Sequence, residues 1–205
     1  DAMESRGLGD VYKRQPTASR VLISGPNGSG KELAARCIHH QSDRRASRFI
    51  VANCARLGAE RADVELFGSD GVATSRRIVG LFEQAHKGTL YFDEVCDLPL
   101  ETQGKIVRAV AEQRFRRVGG NKEVSVDVRV ISASSRDLSA AIAEGRLRED
   151  LYYRLGVVPL SMPPLAERRE DIPHLARHFV DLVARRTGLG KVKLGDKVLS
   201  AMQGY

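Results

Sequence analysis

Short apolar runs alternate along the chain with longer segments whose apolar residues recur at helical spacing, the pattern of an α/β domain. Val21, Leu22 and Ile23 form a β-run, and Leu33, Ala34, Cys37 and Ile38 recur as one helix face. A second apolar run, Thr89 to Phe92, ends in two acids, Asp93 and Glu94. Residues 97–113 read as a helix entered at Pro99, with Ile106, Val107, Val110 and Ala111 as its apolar face. Gly119, Gly120 and Asn121 predict a hairpin turn. "LREDLYYRL" predicts another helix, and a further one runs from Asp171 to Arg186, stopped by Gly188 and Gly190. One stretch fits neither period. Between "ELFG" and "GLFE" lies "SDGVATSRRIV", too polar for a core and too oddly composed for a plain turn.

Composition adds bounds rather than identity. At 205 residues the chain can bury one sizeable core. Its net charge of +7 is carried by dispersed arginines, which suits phosphate, a nearby nucleic acid, or simply a solvated basic surface. No apolar run is long enough to span a bilayer and no stretch has a signal-peptide layout, so a cytoplasmic location without membrane partners is expected. Cys37, Cys54 and Cys96 are odd in number and lack CxxC spacing, which argues against disulfides and zinc and for small core residues in a reducing compartment. His174 and His178 lie four apart without an evident third ligand, and His39-His40 is a weaker pair still, so solvent-facing or core-edge histidines are expected.

Both ends look unnatural. "DVYKRQ" resembles the translation of a sequencing adapter, so residues 1–15 are expected to be non-native; finding their codons continuous with the gene at its genomic locus would overturn this. Their charges cancel, Arg6, Lys13 and Arg14 against Asp1, Glu4 and Asp10. "VLSAMQGY" stops inside a helix-and-turn pattern, which marks the chain as a fragment. The expected division is an α/β nucleotide-binding core over residues 16–165 and the start of a helical lid over residues 166–205.

The chemistry begins where the first strand meets the first helix. Gly25, Pro26, Asn27, Gly28, Ser29, Gly30 and Lys31 form the G-x-x-x-x-G-K pattern between them. Glycines let backbone N–H groups turn in on a phosphate, the helix N-terminus adds its dipole, and the lysine adds a point charge. Glu32 stands where a magnesium-binding Ser or Thr is usual. A glycine turn before an ordinary helix is the plain alternative, but the acids after the second strand argue against it. A carboxylate at Asp93 suits magnesium, and Glu94 suits activation of a water in line with a γ-phosphate. Together they point to a nucleoside triphosphatase site that holds Mg²⁺.

From Pro16 onward the chain resembles the central AAA+ ATPase domain of the bacterial enhancer-binding proteins that activate sigma-54 RNA polymerase. "GPNGSGKE", "FIVANCA", "ELFG", "GLFEQAHKGTLYFDEV", "RFRRVGG", "VDVRVISASSRDL" and "GRLREDLYYRLGVVPLSMPPLAERREDI" follow in family order. The resemblance implies an AAA+ P-loop fold with a parallel sheet between helices and a helical lid. It makes Glu32 normal at its position, and gives Asn53 the role of holding the catalytic Glu94 in check. It makes Arg148 and Arg154 arginine-finger candidates that reach a neighbouring subunit's γ-phosphate in a ring, typically a hexamer; ordinary pairing with Glu149, Asp150 or solvent is the alternative.

Two departures matter. The family's GAFTGA loop, which touches sigma-54, is represented only by the shorter "SDGVATSRRIV", with Val72, Ala73 and Thr74 where a glycine-flanked Phe-Thr is expected. Ser135 replaces the asparagine that senses the γ-phosphate. This combination resembles a branch of nitrogen-regulation response regulators in α-proteobacteria. There a receiver domain addressed by a sensor kinase precedes the module and a DNA-binding domain follows it. Transcription regulation through nucleotide-controlled oligomerisation, without sigma-54 contact, is therefore the expected role. The alternatives are a nucleotide-gated scaffold with little hydrolysis and a genuine sigma-54-dependent activator. In the family the "RRVGG" hairpin relays nucleotide state to the GAFTGA loop; a plain packing hairpin is the other reading.

Overall fold

The computed structural model of the chain describes residues 19–71, 76–188, 190 and 192–204. Residues 1–15 and Val72, Ala73 and Thr74, on which expectations were stated, lie outside the described residues. In chain order the elements are β1 (Val21–Ser24), α1 (Lys31–His40), β2 (Phe49–Asn53), α2 (Ala62–Phe67), α3 (Leu81–Gln84) and β3 (Thr89–Asp93). Then come α4 (Leu100–Glu112), β4 (Arg114–Arg116), β5 (Glu123–Ser125), β6 (Arg129–Ser134), α5 (Leu138–Ala143), α6 (Glu149–Leu155) and β7 (Val158–Ser161). Helices α7 (Ile172–Thr187) and α8 (Asp196–Gly204) complete the set. The described chain divides into two compact units at Met162/Pro163, three residues before the boundary expected from sequence.

In the first unit β2, β3, β6, β1 and β7 form one sheet in that order, all parallel. A parallel sheet is covered on both faces, so its strands read as continuous apolar runs instead of alternating with polar residues. Because side chains point alternately up and down, each run supplies two cores. Leu22, Leu90, Phe92 and Val130 pack on one face with residues of α2 to α6, while Val21, Ile23, Tyr91, Ile131 and Ala133 pack on the other with Ala35 and Ile38 of α1. All six residues of β6 are buried.

Two helix faces differ from expectation. Leu33 is 65% exposed, and the buried positions of α1 are Lys31, Ala35, Ile38 and His39. Residue 31 must turn inward to reach the loop ahead of it, and that rotates Leu33 outward. On α4, Ala111 is exposed and Ala109 buried instead. His39 Nδ1 lies 2.9 Å from Thr89 Oγ1, and burial, then the neighbouring His40, push its pKa down, so it is a neutral core partner. His174 and His178 are exposed on α7.

The antiparallel β4–β5 pair is the expected hairpin. It meets the root of the unusual polar segment. Ser69 and Ile78 exchange backbone hydrogen bonds of 3.0 and 2.9 Å across that root, and Val118 N donates to Gly68 O at 2.9 Å. Arg117, only 8% exposed, binds Glu83 at 2.6 and 2.8 Å and Asp70 at 3.1 Å. The hydrogen bond to Glu83, acting against the cost of burial, raises its pKa further. Phe82, fully buried, lies 5.4 Å from Phe67, 5.7 Å from Phe115 and 6.0 Å from Phe92, ring centre to ring centre. The segment is thus anchored by an aromatic cluster and one buried guanidinium.

Gly80 closes this root where no side chain fits: a Cβ there would sit 2.5 Å from Leu66 O and from Phe67 C. Its backbone is ordinary extended, so the constraint is space alone. Gly80→Ala is expected to cost roughly 1–3 kcal/mol through overpacking, read as a lower Tm in thermal unfolding. An unchanged Tm would mean that the two backbones do not meet in this way.

In the second unit Pro173 stands in the first turn of α7, Gly188 ends that helix at φ 69°, and Ala184 and Leu199 are buried. Arg169 Nη1 donates to Gln203 O and Gln203 Nε2 to Arg169 O, each at 3.2 Å. Among the described residues no helix is long and apolar enough to cross a membrane.

Candidate nucleotide site

Parallel strands put all their carboxyl ends on one edge, where loops from several strands converge. There β1 runs into Gly25, β3 into Glu94 and β6 into Ser135. Gly25 N donates to Ser134 O at 3.2 Å, joining the glycine loop to the end of β6. Gly28 and Gly30 have φ of 77° and 90°, left-handed values that side-chain-bearing residues avoid. These turns curl the loop back, and Gly30 caps α1.

Lys31 follows at once. It is 6% exposed, and its Nζ donates to Gly25 O at 2.9 Å and Pro26 O at 3.2 Å. A buried ammonium needs compensation. Two carbonyls supply part of it and Glu94 the rest, with Oε1 3.3 Å from Nζ. The loop, a buried lysine at its base and helix-start N–H groups form a cradle suited to phosphate oxygens.

Glu94 itself is held from two sides. Its Oε2 accepts from Ser135 N at 2.7 Å and from Ser135 Oγ at 2.8 Å. Its backbone is left-handed, φ 57° and ψ 59°, a conformation that costs a side-chain-bearing residue about 1–3 kcal/mol and clusters at functional sites. Asn53 pairs in register with Asp93 but makes no side-chain hydrogen bond among the described residues. Here the short Ser135 hydroxyl and its own N–H both point at the Glu94 carboxylate.

Asp93 Oδ1 accepts from Tyr91 OH at 3.1 Å, and burial first, then Asp93, pushes that phenol's pKa up, so it stays a donor. Glu32 is exposed and binds Arg36 at 2.7 and 2.9 Å, turned away from the place where a magnesium-binding hydroxyl would stand. Burial pushes the thiols of Cys54 and Cys96 up, so both are protonated packing groups rather than nucleophiles; all three cysteines are free.

Arg148 and Arg154 hydrogen-bond to no residue of the glycine loop among the described residues. Arg148 lies just before α6 and not within it; its side chain binds Asp150 at 2.8 and 2.9 Å, and its N–H donates to Gln103 Oε1 at 2.9 Å. Arg154 is exposed on α6. The sequence reading passed over Tyr91, which orients Asp93, and Gln103, a fully buried amide that also binds Leu98 O and Arg146 O. A buried Gln on a helix has no periodic signature, and two of its three contacts lie more than forty residues away.

Residues 4–161 match the family described as the Sigma-54 interaction domain. The nitrogen assimilation regulatory protein NtrX of Azorhizobium caulinodans is 50% identical over 190 residues, covering 93% of this chain and 42% of that protein. A crystal structure of NtrX from Brucella abortus matches with a TM-score of 0.92 at 45% identity, covering 100% of this chain and 47% of that one. The Brucella protein in complex with ATP gives 0.88 at 46% identity, covering 98% and 46%. The chain spans less than half the length of each of these relatives. With the glycine loop, the acidic pair and the five-stranded parallel sheet in place, the chain belongs to the Sigma-54 interaction domain family.

Proposed function

We propose that this chain is the ATP-binding and ATP-hydrolysing central domain of a bacterial two-component transcriptional response regulator of the NtrX type. The observation that carries the reading is the Lys31–Glu94–Ser135 constellation at the carboxyl edge of the sheet. The ATP complex of the Brucella relative supports the choice of nucleotide. Residues 25–32 form the phosphate loop, with Lys31 leaving its carbonyl and carboxylate partners to meet the β- and γ-phosphates. Asp93 would hold Mg²⁺, which would supply charge neutralisation on the phosphate oxygens. Glu94, once released from Lys31 and Ser135, takes a proton from the attacking water. Arg148 or Arg154 completes the site from the neighbouring subunit of a homo-oligomeric ring, a hexamer by resemblance. The protein works in the cytoplasm, receives its signal from a sensor kinase through a receiver domain, reaches DNA through a separate domain, and makes no sigma-54 contact.

Steady-state ATP hydrolysis against protein concentration tests this. A rate per subunit that rises with concentration is expected, because the site is completed between subunits. ATP binding with a flat, negligible rate would instead favour a nucleotide-gated scaffold, which the double hold on Glu94 also suits. Activation of sigma-54 polymerase by the intact regulator would overturn the reading of the shortened loop.

The hold has its own signature. Ser135→Ala removes one of two hydrogen bonds to an ionised carboxylate, an interaction of about 1.5–3 kcal/mol when intact. Glu94 then leaves its parked position more readily, and kcat is expected to rise by up to about tenfold. A fall in kcat would show that the hydroxyl serves the reaction and does not restrain it.

A further inference from the structure

The carboxyl edge of the sheet gathers acids, and its amino edge gathers cations. Arg48 stands just before β2, Lys87 two residues before β3, and Arg129 opens β6, on three neighbouring strands. Arg129 is 3% exposed, its Nη1 and Nη2 enclosed and without a hydrogen-bond partner among the described residues, so it meets nothing outside. The reachable cations are Arg45, Arg48 and Lys87. All three are exposed, and their side chains make no ion pair or hydrogen bond among the described residues.

Their backbones are tied into one frame. Arg44 Nη1 donates to Gly88 O at 3.2 Å and to Asp127 O at 3.1 Å, and its Nη2 to Asp127 Oδ1 at 2.6 Å. Lys87 N donates to Asp127 O at 2.7 Å, and Thr89 N to Arg48 O at 2.9 Å. Arg45 lies in the turn that Ser47 N closes onto Arg44 O at 2.8 Å. Asp127 is thereby committed to Arg44, and Asp43 is the one other acid in segments 42–48 and 86–89.

Two observations bear on what this surface takes. None of the exposed large apolar side chains falls in those segments. Protein partners are held by aromatic and apolar anchors, and membrane-surface elements bury an apolar face. A phosphate backbone needs only cations on a fixed frame. Lys87, moreover, has φ 61°, a left-handed backbone that glycine adopts without strain. A lysine there adds at the mouth of β3 a charge that the strain-free residue lacks.

We propose that the amino edge of the sheet, through Arg45, Arg48 and Lys87, binds the phosphate backbone of double-stranded DNA without reading its sequence. The choice of DNA over RNA rests on the reading of the chain as part of a transcription regulator. On DNA already held by a separate domain, this edge adds an intramolecular contact and so raises overall affinity. It shares no surface with the phosphate loop. From Thr89 to Asp93, β3 advances four residue steps, about 13 Å at about 3.3 Å each.

The 205-residue chain, without nucleotide, is titrated into a labelled mixed-sequence DNA duplex over a series of sodium chloride concentrations, with fluorescence anisotropy as the readout. Saturable binding is expected, with log K falling against log salt at a slope of about −2.7, −0.9 for each of three phosphates met. Arg45→Gln, Arg48→Gln and Lys87→Gly should each flatten that slope by about one, and together weaken binding by about tenfold or more at low salt. Lys87→Gly is expected to keep its Tm, which separates lost binding from lost fold. A control triple, Arg61→Gln, Arg108→Gln and Arg116→Gln, removes the same charge from exposed arginines outside these segments and should leave the slope unchanged. No saturation at low salt, an unchanged slope in the first triple, or an equal loss in the control overturns the proposal. Tighter binding of an RNA duplex, or equal binding of polyglutamate, overturns the assignment to DNA. ATP turnover is measured separately, so failure of the ATPase reading and failure of this one are distinguishable.

Discussion

Glu94→Gln is expected to lower kcat for ATP hydrolysis by about 10²–10⁴-fold, the range a positioned general base contributes, while ATP still binds. The amide has the shape of the carboxylate but cannot take the water's proton. Its oxygen can still accept from Ser135 N and Oγ, now 2.7 and 2.8 Å from Oε2, so the local fold survives. Lys31 loses its 3.3 Å ion pair but keeps Gly25 O and Pro26 O, and with no competing carboxylate it is freer to meet phosphate. ATP affinity is therefore expected to hold or to tighten slightly. Measuring kcat by phosphate release and Kd by equilibrium binding separates the two effects. Unchanged turnover would remove Glu94 from the chemistry. Lost ATP binding would make it a structural partner of Lys31.

How much of this site was legible before the fold was known depends on how far apart its parts lie in the chain. The glycine loop is local: a strand, two glycines at left-handed φ and a lysine opening a helix are written in consecutive residues. The acidic pair is nearly as plain, because an apolar strand ending in charge puts that charge at a sheet edge. The contact between Ser135 and Glu94 was not legible. Asn53 and Ser135 both sit at ends of strands flanking β3, and sequence order cannot say which side chain is aimed at the carboxylate. Arg117 illustrates the same limit. Its partners are 34 and 47 residues away, and as a plain sequence position it is one dispersed arginine among many. Arg129 is more extreme, since nothing in "VDVRVIS" distinguishes a buried unpaired guanidinium from a charge at a strand's mouth. Helix faces fail for a smaller reason. An apolar residue such as Leu33 fits the period, but the inward turn of Lys31 sets the rotation of α1 and outweighs it.

The arginine variants are expected to have effects as large as any in the domain. A finger contributes about 10³–10⁵ in rate where it acts, and of the two candidates Arg154 is the better placed. It is exposed on α6 and makes no ion pair among the described residues, so nothing need be broken for it to cross an interface. Arg148 is tied to Asp150 through both Nε and Nη2. That pair is exposed and breaks readily, but Gln103 also fixes its backbone N–H. Arg154→Ala is therefore expected to lose at least about 10³-fold in kcat without loss of ATP binding, and Arg148→Ala to lose less. Mixing tells finger from fold. In a ring containing both Arg154→Ala and Glu94→Gln subunits, an Arg154→Ala site keeps its own Glu94 and borrows Arg154 from the next subunit. Two inactive proteins should then yield an active mixture. A mixture as inactive as its parts would mean that Arg154 acts within its own chain or not on the nucleotide, and full activity of Arg154→Ala alone would move the finger to Arg148.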